Sequence, residues 1–484
     1  MTVRRRLSLL LGLLAALTLL AAGCGGKKQA AASSSGAQFV RSDALAFVSV
    51  DTDFGSSQWK QLDALASKFP GRDKAIESLK KSIAGQGVDF DSDIKPALGS
   101  ELDFAVAGGA TLNDTKAIGL LQPGDEGKFK ALVDKENKAQ PDGKSVYRKL
   151  SDGWYAIAST QADIDQVLKG SNPPLSDESL YKDALAKQPS DALAKAYVNG
   201  PELGKVVQKA IEARGNGLSD STTSGLQKLD FVSASLSAED DGVRLHGAVQ
   251  GSGSESLLGS GDYASKLLGE TPSDAFAFLT FKVGKNTASG LGSVTAPFEQ
   301  TLGVSLQDVL ALLENENAIY VRPGAVIPEF AAIFQPNDTS KGMATLIKIA
   351  NRLAASGGAT VTGGAEKTLS FGTQFQLHFG VKDGKIVLTN NAAGISGVGS
   401  PSQSLADSAD FQEAQKAAGL PSDTGGFLYV DLKNTIPLIE GFAGLAGSKI
   451  PAEVTGNLRP LRSFLEWSAG SGNSRTFDAF LEIK

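Results

Sequence analysis

The stretch Ser42–Asp51 reads SDALAFVSVD, and Ser273–Lys282 reads SDAFAFLTFK. In each, a Ser-Asp turn signal leads into a run of alternating apolar side chains, the pattern of a strand with one buried face. Weaker versions stand at Ser190–Asn199 (SDALAKAYVN) and Ser422–Asp431 (SDTGGFLYVD). Four related strand openings in one chain point to an internal duplication.

Working outward, the surroundings repeat in the same order. Gly87-Val88 opens GVDFDSDIKPALGSELDFAV and Gly303-Val304 opens GVSLQDVLALLENENAIYV, each reading as turn, short helix, break and strand. Ala117–Pro123 and Ala331–Pro336 are apolar strands closed by Gln-Pro, and amphipathic helices are expected over Lys128–Lys135 and Gly342–Ala354. Hairpins follow at Val146–Ala158 and Phe375–Leu388, turning on Asp152-Gly153 and Asp383-Gly384, the dipeptide that favours a tight turn between strands. Closing hairpins are expected at Phe231–Val249, turning at Asp241-Gly242, and at Phe464–Ile483, turning near Gly470–Asn473. A repeat of this length means paired domains, not a short-period solenoid. The expected fold class is α+β: two similar domains, each a largely antiparallel sheet with amphipathic helices. The expected bounds are 39–250 and 263–484, with the Gly/Ser-rich joint Gly251–Asp262 between them. That joint lacks the strand–loop–helix setting of a phosphate cradle, and no cofactor is expected.

Residues 1–23 read as a secretory signal. Arg4, Arg5 and Arg6 precede the uncharged run Leu7–Leu20, which is short for a membrane span. Ala21-Ala22-Gly23 then lead to Cys24, the one cysteine of the chain, in a pattern that resembles a bacterial lipobox with Leu20 one position early. The expected modification is lipidation of Cys24, against an ordinary signal peptide or a short uncleaved anchor. Residues 24–38 are expected to be a flexible tether, having almost no large apolar side chain. The expected location is the extracytoplasmic face of a cell membrane, held by lipid.

Loss of the signal removes three of 47 basic residues, leaving 44 against 53 acids and a formal charge of −9. That balance argues against nucleic acid and against a broad electrostatic grip on anionic lipid. Expected partners are the membrane through Cys24 and an unknown envelope protein or apolar ligand.

The lipobox, the Ser-Asp strand opening and the Gly-Val segment ending in Leu98-Gly99 together resemble an uncharacterised family of bacterial, largely actinobacterial, envelope proteins of unknown function. The second copy departs from that pattern with Leu313-Glu314. The resemblance implies an exported, membrane-tethered protein and supplies no catalytic residue.

Few constellations could carry chemistry. His246 and His378 are the two histidines, and no G-x-S-x-G elbow accompanies them. Asp89, Asp91 and Asp93 imitate the start of a calcium loop, but Ile94 and Ser100 stand where Gly and Glu belong; Asp308 alone remains in the second copy, and a helix N-cap is the plainer reading. Asp51 and Asp53 could serve glycoside hydrolysis, yet Lys282 and Gly284 replace them in the repeat, which suits a solvated strand end. Trp59, Trp154 and Trp467 could line a sugar or lipid site, although their spacing suits core packing. The leading expectation is a non-enzymatic binding or scaffold protein of the cell envelope. The alternatives are a carrier or sensor with an apolar pocket between its halves, and a carboxylate-based wall hydrolase.

Overall fold

The computed structural model describes residues 35–84, 88–109, 114–139, 143–214, 227–252, 261–283, 295–324, 327–357, 359–372, 375–399, 401–445, 447–448 and 450–484. Cys24, the signal, residues 24–34 of the tether and 253–260 of the joint lie outside them.

The first repeat carries β1 (Ala44–Asp51), α1 (Ser57–Ala66), α2 (Arg72–Ala84), β2 (Glu101–Ala107), β3 (Lys116–Leu121), α3 (Glu126–Ala139), β4 (Val146–Lys149), β5 (Tyr155–Ala158), α4 (Gln161–Val167), α5 (Ser179–Ala186), β6 (Ala194–Asn199), α6 (Gly200–Arg214), β7 (Leu229–Glu239) and β8 (Gly242–Gly251). The second carries β9 (Ala277–Phe281), α7 (Thr295–Leu302), α8 (Leu306–Leu312), β10 (Asn317–Arg322), β11 (Glu329–Phe334), α9 (Thr339–Gly357), β12 (Ala359–Thr362), β13 (Lys367–Phe371), β14 (Phe375–Lys382), β15 (Lys385–Thr389), α10 (Ala392–Gly397), α11 (Ala409–Ala418), β16 (Gly426–Asp431), α12 (Leu432–Leu445), α13 (Ala452–Leu458), β17 (Leu461–Ser471) and β18 (Ser474–Ile483).

Register proves the duplication. Glu239 faces Gly242 at the end of the β7–β8 hairpin, and Ser471 faces Ser474 at the end of β17–β18, each 232 residues later. Ala194 faces Leu236 as Gly426 faces Ser468, with the same offset. Phe47 and Phe278 hold the same place in β1 and β9, opposite Tyr197 and Tyr429. The Asp-Gly turns match in their dihedrals: Asp152 and Asp383 have φ of 53° and 51°, and Gly153 and Gly384 have 76° and 75°. The second repeat adds the β12–β13 hairpin, which lies beyond β14 at its outer edge.

The two repeats are not separate sheets. β8 pairs antiparallel with β18 over Gly242–Gln250 and Ser474–Glu482. One 18-stranded sheet results, running β4-β5-β3-β2-β1-β6-β7-β8, then β18-β17-β16-β9-β10-β11-β15-β14-β13-β12. The terminal hairpin of each repeat, expected to close its own domain, is thus the seam that joins them. A free strand edge invites pairing, and each repeat covers the other's edge.

Directly paired residues point to the same face, so the register sorts the side chains. One face carries Phe47, Tyr197, Phe231, Phe278, Phe427, Tyr429 and Phe480, all buried. Tyr181 of α5 meets Phe47 and Tyr197 edge-on, and Phe411 of α11 meets Tyr429 in the same way. The body begins earlier than composition indicates. Gly36–Gln38 form a turn of helix capped by Ser35, and Gly36 and Ala37 are buried against this face. Small side chains let that backbone pack where a polar tether would stay in water.

Candidate functional site

The register runs two rows of side chains back to back across the seam. On the covered face the row is Asp103, Ser49, Lys195, Ser235, His246, Asp478, Trp467, Phe427, Thr280 and Ala318. It is polar from Asp103 to Asp478, and beyond them Trp467, Phe427 and Ala318 are apolar, with Thr280 among them. Asp103 is wholly buried and accepts the Gly36 N–H at 2.8 Å. Burial raises the Asp103 carboxyl well above the ordinary carboxylate range, and the charge and hydrogen bond of Glu101 add to it. Lys195 is pushed down by burial. The signal for this cluster was in ELDFAVA: Asp103 occupies an inward position of an alternating strand.

On the other face the row is Val50, Ala194, Leu236, Leu245, Ala479, Glu466, Leu428, Leu279 and Ile319. It crosses nine strands and is apolar except for Glu466. Leu245 is 39% exposed, and Ala194, Leu236, Ala479, Leu428, Leu279 and Ile319 are partly exposed. The neighbouring positions Ala234 and Phe477 are also partly exposed, and Gly247 lies against the Phe477 ring. One end of the face is closed: Trp59 and Leu65 of α1 pack with Ala238, Val243, Leu461, Leu481 and Ile483 in a core drawn from both repeats. The result is an apolar floor, centred on the seam and open to solvent.

His246 Nδ1 lies 2.8 Å from Asp478 Oδ1 of the other repeat, and the hydrogen bond to Asp478 raises the imidazole pKa. His378 lies apart, 3.1 Å from Thr368 Oγ1. Asp51 accepts from Ser56 Oγ at 2.6 Å and from the Asp53 N–H at 2.8 Å, and Asp53 accepts from the Gly55 N–H at 2.9 Å. Both acids therefore shape the turn into α1, and burial raises the Asp51 pKa. Asp89 caps the helical turn Phe90–Ile94, accepting the Ser92 N–H at 2.8 Å. Asp91 and Asp93 are held by Lys80 at 2.6 Å and Lys135 at 2.5 Å, and Asp308 follows the cap Ser305. Among the described residues no group of three His, Cys, Asp or Glu could hold a metal ion. Trp59, Trp154 and Trp467 are buried core residues; Trp59 Nε1 donates to the Asp51 carbonyl at 2.9 Å. No helix among the described residues is long and apolar enough to cross a membrane.

A family model described as a protein of unknown function, DUF3352, matches residues 6–142 and 135–483. No curated protein matches the chain. Among solved structures, crystal form IV of TP0453 is similar at 12% identity and a TM-score of 0.25, over 45% of this chain and 81% of that one. Crystal form III gives 12% and 0.24 over 46% and 93%, and crystal form I gives 12% and 0.24 over 46% and 79%. Likeness at that level carries no argument about this chain.

Proposed function

The chain belongs to the family of proteins of unknown function DUF3352, and on that premise we propose that it is a lipid-anchored, extracytoplasmic, non-enzymatic binding protein that holds an apolar ligand on the sheet face shared by its two repeats. The observation that carries this reading is the row from Ala194 through Leu245 and Ala479 to Ile319, apolar but for Glu466, exposed in part and continuous across the seam. Water-facing strand positions ordinarily carry polar side chains, and a contiguous exposed apolar patch marks an interaction site. An acyl chain fits such a floor, because burial stabilises it by about 0.8 kcal/mol for each methylene.

A carboxylate hydrolase finds less support: Asp103 is buried under Gly36, and Asp51 is engaged by Ser56 and the Asp53 amide. Anchoring rests on the Arg4–Cys24 pattern.

Two measurements test the reading. The mass of the N-terminal peptide should show Cys24 acylated. Titration with a fluorescent long-chain fatty acid should saturate, and Leu245→Glu should weaken binding at least tenfold while the thermal midpoint stays within a few degrees. Saturable binding untouched by Leu245→Glu, or no binding by the parent, sinks it.

A further inference from the structure

We infer that α12, together with α13, is a membrane-docking element that lies against the bilayer surface. Helices α6 and α12 occupy equivalent places, each following the matching strand β6 or β16. α6 buries Gly200, Gly204 and Val206 and exposes Lys205, Gln208 and Lys209. α12 reads LKNTIPLIEGFAGL and buries none of its described residues. At the positions of Lys205 and Lys209 it carries Pro437 and Gly441, both exposed; Ile439, at the position of Val207, is 54% exposed, and Glu440 keeps the polar character of Gln208. On α13, which packs beside it, Val454 is 46% exposed. The fold requires a helix here, and α6 shows that it can be polar outside. Past the exposed Lys433 and Asn434, the outward side of α12 is apolar but for Glu440, and that stretch needs another occupant.

The bilayer is that occupant, on an inference that rests on acylation of Cys24. From Cys24 to Ser35 the chain makes eleven residue steps, which span at most about 40 Å. A body leashed that closely meets the bilayer continually, so even a weak apolar face docks. Arg459 closes α13 at its C-terminal end and is exposed, which suits an anionic headgroup. Docked there, α12 brings β16 and β17, on which it packs and which carry Leu428 and Glu466 of the apolar row, toward the lipid from which an acyl chain would come.

The test uses the full-length lipoprotein in phosphatidylcholine–phosphatidylglycerol vesicles. With Cys24 acylated, Ile439→Cys supplies the sole free thiol for an environment-sensitive fluorophore, and Lys209→Cys on α6 is the control. Label at 439 should shift to the blue and be quenched by a lipid-borne quencher, while label at 209 should do neither. A shift at 439 without lipid quenching, or one that appears in vesicle-free solution as protein concentration rises, overturns the inference; the latter would make the occupant a second copy. Vesicle flotation separates the premises: a parent that fails to float lacks the anchor, whereas a floating parent with solvated label at 439 refutes docking alone. As a second readout, Val454→Glu in the acylated, 439-labelled protein should lower lipid quenching of the label at least fivefold, with fatty-acid binding retained; quenching unchanged by Val454→Glu overturns the part assigned to α13.

Discussion

Asp478 stands directly opposite His246 across the β8–β18 pair, and the two are repeat equivalents, 232 residues apart. The local two-fold axis relating the repeats therefore passes between them. In a symmetric pair of identical repeats the position would hold two imidazoles or two carboxylates; fusion and divergence placed an acid against a base, at 2.8 Å.

That contact predicts a pH dependence. The imidazole faces the Asp478 carboxylate and the Lys187 carbonyl, both acceptors, and only the imidazolium donates from both nitrogens. Nearby Arg244 opposes the charge, but Glu239 holds Arg244 in an ion pair. The folded pKa is raised, so the contribution is fully present below the unfolded value of about 6.5 and is lost as pH rises through the folded one. The thermal midpoint should fall across that window, and His246→Gln should flatten the fall.

Asp103 predicts a second pH effect. Its carboxyl pKa is raised by burial, so stability drops as pH rises from the unfolded value of about 3.9 through the folded one. Asp103→Asn keeps an acceptor for the Gly36 N–H and has no proton to lose. Its midpoint relative to the parent should improve from acid to neutral pH. Asp103→Leu strands a buried N–H and should cost about 1–3 kcal/mol in denaturant unfolding.

Gly247 pairs with Phe477 across the seam, and a Cβ on Gly247 would enter the space of the Phe477 ring. Gly247→Ala should destabilise by about 1–3 kcal/mol through overpacking. In a double-mutant cycle, adding Phe477→Ala should recover part of that loss; simple additivity would show that the ring does not fill that space.

Asp152 and Asp383 sit in the left-handed region, which Asp tolerates and a β-branched residue does not. Asp152→Val and Asp383→Val should each cost about 1–2 kcal/mol, and Gly at either site should be nearly neutral. Unequal costs would mean that the two hairpins are supported differently.

Much of the fold was legible. The Asp-Gly dipeptides fixed both hairpins because few residue pairs adopt two positive φ values in a row. Helices expected over Lys128–Lys135 and Gly342–Ala354 run Glu126–Ala139 and Thr339–Gly357, since the Asp125 and Asp338 carboxylates each accept an N–H of the first turn and start the helix ahead of its apolar stripe. The candidate site was less legible. Val48, Ala196, Leu236 and Leu245 are apolar on the strand phase that faces away from the covered core, a signal present in the sequence but shared with any strand buried on both sides.

Local chemistry by itself determined the order of strands, turns and helices and the existence of two copies, because periodicity and turn preference act over a few residues. Which edges meet was decided only in three dimensions. The pairing of β8 with β18 joins residues more than two hundred positions apart, and no local propensity encodes it; it follows from two equivalent free edges, each able to satisfy the other's backbone groups. That pairing put His246 opposite Asp478 and carried both rows of side chains across the seam.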